Sequence, residues 1–248
     1  MRKLGLFTNF QFDDNFHHIY QDSIKSLVAK RKHGIVAPEI ELIGVLPQGT
    51  DFVRDNTTIN TGLFESCFRS SIEYAINILH CEVIAFCFRD TYLHSLAEEV
   101  FAENERTDGE AQVISLAECA ISVCAKRKRL KNLGLLSITD VREDNLTRER
   151  FQAHGYQIMS PFNVEQLAEL NRQAIMLNSA EKPEDIDVDE LRYVCGTIEQ
   201  VAKAEKINGL LALGYFDLCE VLAQGGLAIP VINLVEEHVK AITGAILS

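Results

Sequence analysis

The feature that most constrains the fold is a regular alternation along the chain of two kinds of segment. Short apolar runs rich in β-branched residues alternate with longer stretches in which apolar residues recur at helical spacing. Such alternation is typical of parallel β-sheets whose two faces are covered by helices. The sequence therefore predicts an α/β protein.

The positions of these segments predict the individual elements. The predicted strands are Lys3–Phe7, Glu39–Val45, Glu82–Cys87, Gln112–Ser115, Leu133–Ile138, Tyr156–Met159, Gly209–Leu213 and Pro230–Ile232. The predicted helices are Asn15–Arg31, Phe64–Leu79, Tyr92–Asn104, Leu116–Lys128, Leu146–Ala153, Asn163–Met176, Val188–Glu205, Phe216–Ala223 and Val235–Leu247.

The order of the elements also predicts an internal duplication. Residues 1–115 run strand, helix, strand, helix, strand, helix, strand, and residues 116–230 repeat much of that scheme. We expect residues 1–115 with 231–248 to form an N-terminal lobe, and residues 116–230 to form a C-terminal lobe. Each lobe would be a mainly parallel sheet flanked by helices, with a pseudo-twofold relation and a cleft between the lobes. Open α/β sheets bind ligands at the carboxyl ends of their strands, which would line this cleft.

Composition excludes several function classes. The chain has 248 residues and a net charge of −12, which argues against binding to nucleic acid or to an anionic membrane. Its longest apolar runs, such as Gly209–Leu213, are too short to span a bilayer. The N-terminus reads as a first strand, with no signal-peptide pattern. Seven cysteines without CxxC spacing predict reduced thiols and a cytoplasmic location. The basic run 126–129 is typical of a solvated helix end.

Residues able to do chemistry cluster where predicted strands end. Four such segments are Thr8–Gln11, Cys87–Thr91, Ser137–Asp140 and Gly214–Asp217. The chain has no HExxH sequence, no Cys/His zinc pattern and no glycine-rich phosphate loop. We therefore expect neither a metal ion nor an organic cofactor.

At these segments the chain resembles the cofactor-independent aspartate/glutamate racemase superfamily. Val83–Cys87 is similar to the strand that leads into that family's first catalytic Cys-Asn-Thr. Leu133–Leu136 is similar to the strand that opens its second lobe, and Gly209–Leu218 to the strand and turn that carry Gly-Cys-Thr-Glu. Ile229–Asn233, followed by His238, is similar to the closing strand and helix. The resemblance covers nearly the whole chain.

The resemblance implies proton chemistry at the α-carbon of a small carboxylate or amino acid, with two departures. In that family two thiols flank the substrate α-carbon; Cys87 matches the first, but Tyr215 stands at the second. The Asn and Thr that follow the first thiol are Phe88 and Arg89 here. Tyr215 would act as second proton donor or as a pocket wall, so two-thiol racemisation is not expected. The resemblance implies substrate binding by Thr8, Asn9, Arg89, Thr139, Asp217 and His238.

Two interpretations stay open. In the first, the protein is a racemase-like isomerase with Cys87 as its single acid/base group, and a homodimer is allowed. In the second, it is a non-catalytic homologue that acts as a binding, regulatory or structural module. Cys87 could be a small buried hydrophobe, and His238 an ordinary residue of a helix face. Arg89 could pair with Asp90 or Asp217, or it could anchor an anionic ligand.

Overall fold

The computed structural model of the chain describes residues 1–8, 16–31, 38–44, 61–86, 90–103, 111–127, 129–137, 141–162, 165, 167–170, 172, 188–213 and 218–248. By its internal contacts the chain divides into two units. Unit 1 comprises Met1–Ser115 and Val239–Ser248, and unit 2 comprises Leu116–His238.

Unit 1 contains a four-stranded parallel sheet with the strand order β2-β1-β3-β4. Its strands are β1 (Leu4–Thr8), β2 (Ile40–Gly44), β3 (Val83–Phe86) and β4 (Gln112–Ile114). Its helices are α1 (Phe16–Arg31), α2 (Thr61–Asn77) and α3 (Asp90–Glu103). All four residues of β3 are buried, as expected for a strand covered on both faces.

Unit 2 repeats this arrangement, with the strand order β6-β5-β7-β8 and only parallel pairs. Its strands are β5 (Asn132–Ser137), β6 (Gln157–Met159), β7 (Gly209–Leu213) and β8 (Val231–Asn233). Its helices are α4 (Leu116–Lys126), α5 (Val141–Ala153), α6 (Val188–Ala204) and α7 (Leu218–Gln224). A last helix, α8 (Leu234–Leu247), begins in unit 2 and ends in unit 1.

The predicted fold class, two similar α/β units with parallel sheets, is confirmed. Most element bounds differ from the prediction by a few residues, and two differences are larger. Helix α5 begins at Val141 rather than at Leu146, because the sequence before Leu146 is mostly polar and shows no apolar stripe from which a helix could be predicted. The sequence assigned residues 231–248 to the N-terminal lobe, but β8 pairs with β7 in the sheet of unit 2, and unit 1 takes the chain only from Val239.

The first strand of each unit has a glycine in close contact with its neighbours, opposite the second residue of the third strand. A Cβ on Gly5 would lie 3.1 Å from Ile43 Cδ1 and 3.2 Å from Cys81 Sγ. A Cβ on Gly134 would lie 2.9 Å from Leu210 Cδ2 and 3.0 Å from Phe162 Cε2. Glycine at these positions lets the neighbouring side chains pack directly on the backbone of the central strand.

Within the described residues, no helix is both long enough and apolar enough to cross a membrane.

Candidate functional site

The strand order of unit 1 places a topological switch point between β1 and β3. From β1 the chain passes to β2 on one side, and β3 then pairs with β1 on the other side. Adjacent parallel strands that connect in opposite directions leave a crevice beyond their carboxyl ends, where α/β sheets bind ligands. In unit 1 these ends are Thr8 on β1 and Phe86 on β3.

Three buried aromatic rings support these two strand ends. Phe7 and Phe86 are register partners on β1 and β3, and their ring centroids are 5.3 Å apart in an edge-to-face arrangement. Phe68 of α2 lies 5.8 Å from the ring of Phe7 and 5.5 Å from that of Phe86. All three side chains are fully buried, and such pairs add about 0.5–1.5 kcal/mol beyond the burial of their area. We call these three rings the aromatic floor.

Unit 2 has its own switch point between β5 and β7. The register pairs Leu136 with Ala212 and Ser137 with Leu213 at the carboxyl ends of these strands. Leu136 and Ala212 occupy the places that Phe7 and Phe86 occupy in unit 1, and both are buried. The paired residues near these two strand ends are therefore aliphatic in unit 2, whereas they are aromatic in unit 1.

Most predicted site residues follow these four strand ends directly in sequence. Thr8 is the last residue of β1, and only its backbone is described. The others, except His238, lie outside the described residues, so their approach to one another and the facing of Cys87 and Tyr215 stay predictions. These residues are Asn9, Cys87, Arg89, Thr139, Tyr215 and Asp217.

His238 is described, and it lies fully buried in α8. The start of that helix is fixed by Asn233, the last residue of β8, whose Oδ1 accepts a hydrogen bond of 3.2 Å from the backbone N–H of Glu236. Asn233 is itself buried and acts as the N-cap of α8. Sequence reasoning missed Asn233, although an Asn three residues before a Glu is a recognisable N-cap signal.

The described cysteines form no disulfide with one another. Three of them, Cys81, Cys124 and Cys195, are buried. Burial raises the pKa of Cys81, Cys124 and Cys195 to about 11. The Sγ atom of Cys195 lies 3.8 Å from the carbonyl oxygen of Leu222 in the core of unit 2. These thiols fill space in the packed interior.

Metal-ligating side chains do not gather in the part of the chain that the structure describes. No group of three or more His, Cys, Asp or Glu residues there is arranged to hold a metal ion.

No protein-family model matches the sequence, and a search of curated proteins finds no match. Solved structures match the chain over its full length. A Yersinia pestis protein described as a candidate Asp/Glu racemase superposes with a TM-score of 0.68 at 19% identity, with 100% of both chains covered. An aspartate racemase homologue from Pyrococcus horikoshii superposes with a TM-score of 0.69 at 16% identity, again with 100% of both chains covered. Maleate isomerase Iso from Pseudomonas putida gives 0.55 at 12% identity, covering 98% of this chain and 92% of the isomerase. The chain has the fold of the aspartate/glutamate racemases.

Proposed function

We propose that the protein is a racemase-like isomerase that moves a proton at the α-carbon of a small carboxylate, with Cys87 as its acid/base group. The observation that carries the proposal is the full-length fold similarity to racemases and to an isomerase. A thiol directly after β3, at a switch point of unit 1, supports it.

A thiol is suited to this step because its ordinary pKa, about 8.5, lies near neutrality. The Cys87 thiolate would take the proton from the α-carbon, leaving a carbanion that the substrate carboxylate stabilises as an enediolate. The same proton, or one from another donor, would then return to carbon. A cation beside a thiol stabilises the thiolate, and Arg89 is only two residues away in sequence.

The second proton donor is where this chain differs from a two-thiol racemase. Tyr215 stands two residues after the end of β7, and an ordinary phenol has a pKa of about 10. At neutral pH such a group stays protonated, so it can donate a proton to a carbanion but is rarely present as the phenolate that would act as a base. We therefore propose one-sided proton delivery, which fits isomerisation or decarboxylation of a small acid better than racemisation of aspartate or glutamate.

The aromatic floor supports the proposal by holding the strand end that precedes Cys87. Phe86, the residue before Cys87, contacts Phe7 and Phe68 and is fully buried. The ring of Phe86 thus packs against two other rings, which holds the last residue of β3 in place. Acid/base groups need this kind of fixed support to reach a substrate carbon at a reproducible distance.

The proposed chemistry needs neither a metal ion nor an organic cofactor, and it suits the reducing cytoplasm. A free thiol is the acid/base group, and disulfide formation would remove it. No disulfide joins the described cysteines, which fits a reducing location.

A non-catalytic role is the second candidate function. It is favoured by the loss of the second thiol and by three aromatic residues in the segments after β3 and β7, Phe88, Tyr215 and Phe216. In that case the fold would serve as a binding or regulatory module, since fold alone does not confer function.

Incorporation of deuterium from heavy water distinguishes the two functions. A panel of amino acids, dicarboxylates and aryl-substituted acids is incubated with the protein, and exchange at the α-carbon is followed by NMR. We expect exchange in at least one small carboxylate and its loss in Cys87→Ser. Exchange that survives Cys87→Ser, or no exchange across the panel, would favour the module.

A further inference from the structure

Unit 2 gathers six exposed cationic side chains at the amino end of its sheet. They precede the two central strands, β5 and β7, which are parallel neighbours in the register Leu133 with Gly209. Residues before such strands lie about 5 Å apart across the sheet. We call this group the basic end. Its members are Lys126, Arg127, Arg129, Lys131, Lys203 and Lys206.

The side-chain amide of Asn208 connects the turn before β7 to the turn before β5 by hydrogen bonds. Asn208, before β7, accepts hydrogen bonds at Oδ1 from the backbone N–H groups of Lys131, at 3.0 Å, and Asn132, at 3.2 Å. Its Nδ2 donates to the carbonyl oxygen of Arg129 at 2.8 Å. Asn132 Nδ2 donates in turn to the carbonyl oxygen of Lys206 at 3.2 Å. The backbone segments that carry the cations of both turns are therefore hydrogen-bonded to each other.

These cations are not neutralised by the part of the chain that the structure describes. None of the six forms an ion pair with a described carboxylate, whereas other surface cations, such as Arg69, Arg150 and Arg172, do. One carboxylate, Glu205, is exposed among them. Lys131 Nζ also lies over the ring of Tyr156, 4.9 Å from its centroid.

A concentrated positive surface is unusual in a chain with a net charge of −12. Helix C-termini favour nearby cations, and α4 and α6 both end here. That effect accounts for one or two cations in each last turn. It does not account for Arg129, Lys131 and Lys206, which lie beyond the helix ends.

We propose that the basic end is a docking surface for a short acidic segment of a partner protein. The strongly acidic remainder of the chain would repel a long polyanion, whereas a short segment stays within the screening length of about 8 Å from the cations. Phosphate sites normally offer backbone N–H groups. Here those of Lys131, Asn132 and Asn208 are already bonded inside the protein. The surface thus offers side-chain charge, which suits carboxylates spread along a peptide.

This docking surface is independent of the proposed catalysis. It lies at the amino ends of β5 and β7, while the candidate site residues follow the carboxyl ends, and the six residues of β5 span roughly 20 Å. Substitutions at the basic end should therefore change docking and leave proton exchange unchanged.

Fluorescence anisotropy with a labelled twelve-residue glutamate peptide tests the proposal on the full chain. We expect binding at about 50 mM salt that weakens steeply by about 300 mM. The triple variant R129E/K203E/K206E should bind at least about tenfold more weakly. The matched control is K25E/K30E/R31E, which makes the same charge change on exposed residues of α1 in unit 1 and should bind within about twofold of wild type.

Three results would overturn the proposal. One is the absence of peptide binding at low salt, and another is an equal loss in the α1 control. The third is tighter binding of a single-stranded oligonucleotide, or of phosphatidylserine vesicles, through the same residues. Circular dichroism checks folding, and if the charge-reversed variant unfolds, R129Q/K203Q/K206Q keeps the side-chain stems and must still weaken binding.

Discussion

The two units share a scaffold and differ at the edge where chemistry is expected. Both have the order second, first, third, fourth along the sheet, and both have a glycine in the first strand opposite the second residue of the third strand, at Gly5 and Gly134. At the carboxyl ends, unit 1 has the aromatic floor, whereas unit 2 has Leu136 and Ala212. A duplicated sheet can thus keep its strand order while the residues at its functional edge diverge.

The divergence continues in the residues that follow the third strand of each sheet. After β3 the sequence continues with Cys87, and after β7 it continues with Gly214 and Tyr215. A thiol and a phenol differ by roughly 1.5 units in ordinary pKa. If both serve a reaction, the two units make unequal contributions to it. Variants of both units can test this inequality and the packing of the two sheets.

The largest expected effect concerns the acid/base groups. Cys87→Ser should reduce α-carbon exchange by about 100-fold or more, because it removes the proposed base. Tyr215→Phe should reduce exchange less, since the phenol would only donate a proton or line the pocket. Deuterium exchange by NMR measures both variants. A loss in Tyr215→Phe as large as that in Cys87→Ser would show that the two units contribute equally.

Restoring the second thiol sharpens the same comparison. Conversion of L- to D-aspartate and glutamate should be absent or very slow in the wild type. Tyr215→Cys should rescue it little, because Phe88 and Arg89 still replace the carboxylate-binding Asn and Thr that the resemblance implies. Chiral chromatography measures this conversion. Fast turnover by the wild type, lost in Cys87→Ser, would mean that a thiol and a phenol suffice.

The buried thiols of both units should resist alkylation. Because burial raises the pKa of Cys81 in unit 1 and of Cys124 and Cys195 in unit 2 to about 11, from 9.0, their thiolate fraction at pH 8 falls by about 100-fold. These groups hold their protons more tightly when folded, so their contribution to stability is present below about pH 9 and is lost as pH rises towards 11. Mass spectrometry after timed iodoacetamide labelling should find Cys67 and Cys119, which are half-buried, modified before these three thiols. Early labelling of Cys195 would contradict this.

The two strand glycines should respond unequally to a methyl group. In Gly134→Ala the new Cβ meets three side chains within 3.1 Å, those of Leu210, Phe162 and Ile207. We expect a loss of about 1–3 kcal/mol in the free energy of unfolding. Gly5→Ala should lie at the low end of this range, because its nearest atoms are at 3.1 and 3.2 Å. Urea denaturation measures both variants.

A helical glycine supplies the control for that pair. Among the described residues, no atom outside the adjoining backbone of α6 lies within 4 Å of a Cβ built on Gly196. Gly196→Ala should stabilise the protein by about 0.5–1 kcal/mol through helix propensity alone. A larger loss in Gly5→Ala than in Gly134→Ala would show that unit 1 is the more tightly packed of the two.

The sequence predicted strands well where apolar runs end sharply, and it predicted long-range contacts poorly. Strand β7 has the predicted bounds, Gly209–Leu213, because polar residues stand before it and a glycine follows. The packing of Phe68 on Phe7 and Phe86 could not be predicted, since it depends on how α2 is rotated on the sheet. Candidate site residues were located from the rule that strand carboxyl ends bind ligands. Their roles came from the resemblance, because no local pattern around Cys87 specifies a reaction.

A last comparison concerns the residue that precedes the third strand of each sheet. In unit 2, Asn208 makes three side-chain hydrogen bonds to the backbone of residues 129–132. In unit 1, the equivalent residue is Glu82, whose Oε2 accepts one bond of 3.3 Å from the N–H of Lys3 and whose carboxylate pairs at 3.8 Å with Arg2. The backbone bonds of the two residues are alike, from Asn208 N–H to Asn132 and from Glu82 N–H to Lys3. The side chains therefore account for the difference.

Asn208→Ala should lower the free energy of unfolding by about 1–2 kcal/mol, because water replaces three hydrogen bonds only in part. Glu82→Ala should cost less than about 1 kcal/mol, since its contacts are long and exposed. Asn208→Asp keeps both acceptor bonds but sets a carboxylate oxygen against the carbonyl oxygen of Arg129 where Nδ2 donated at 2.8 Å, so its cost should be close to that of Asn208→Ala. Thermal unfolding by calorimetry ranks the three. An equal or larger cost for Glu82→Ala would mean that the amide of unit 2 holds its strands no more firmly than the carboxylate of unit 1.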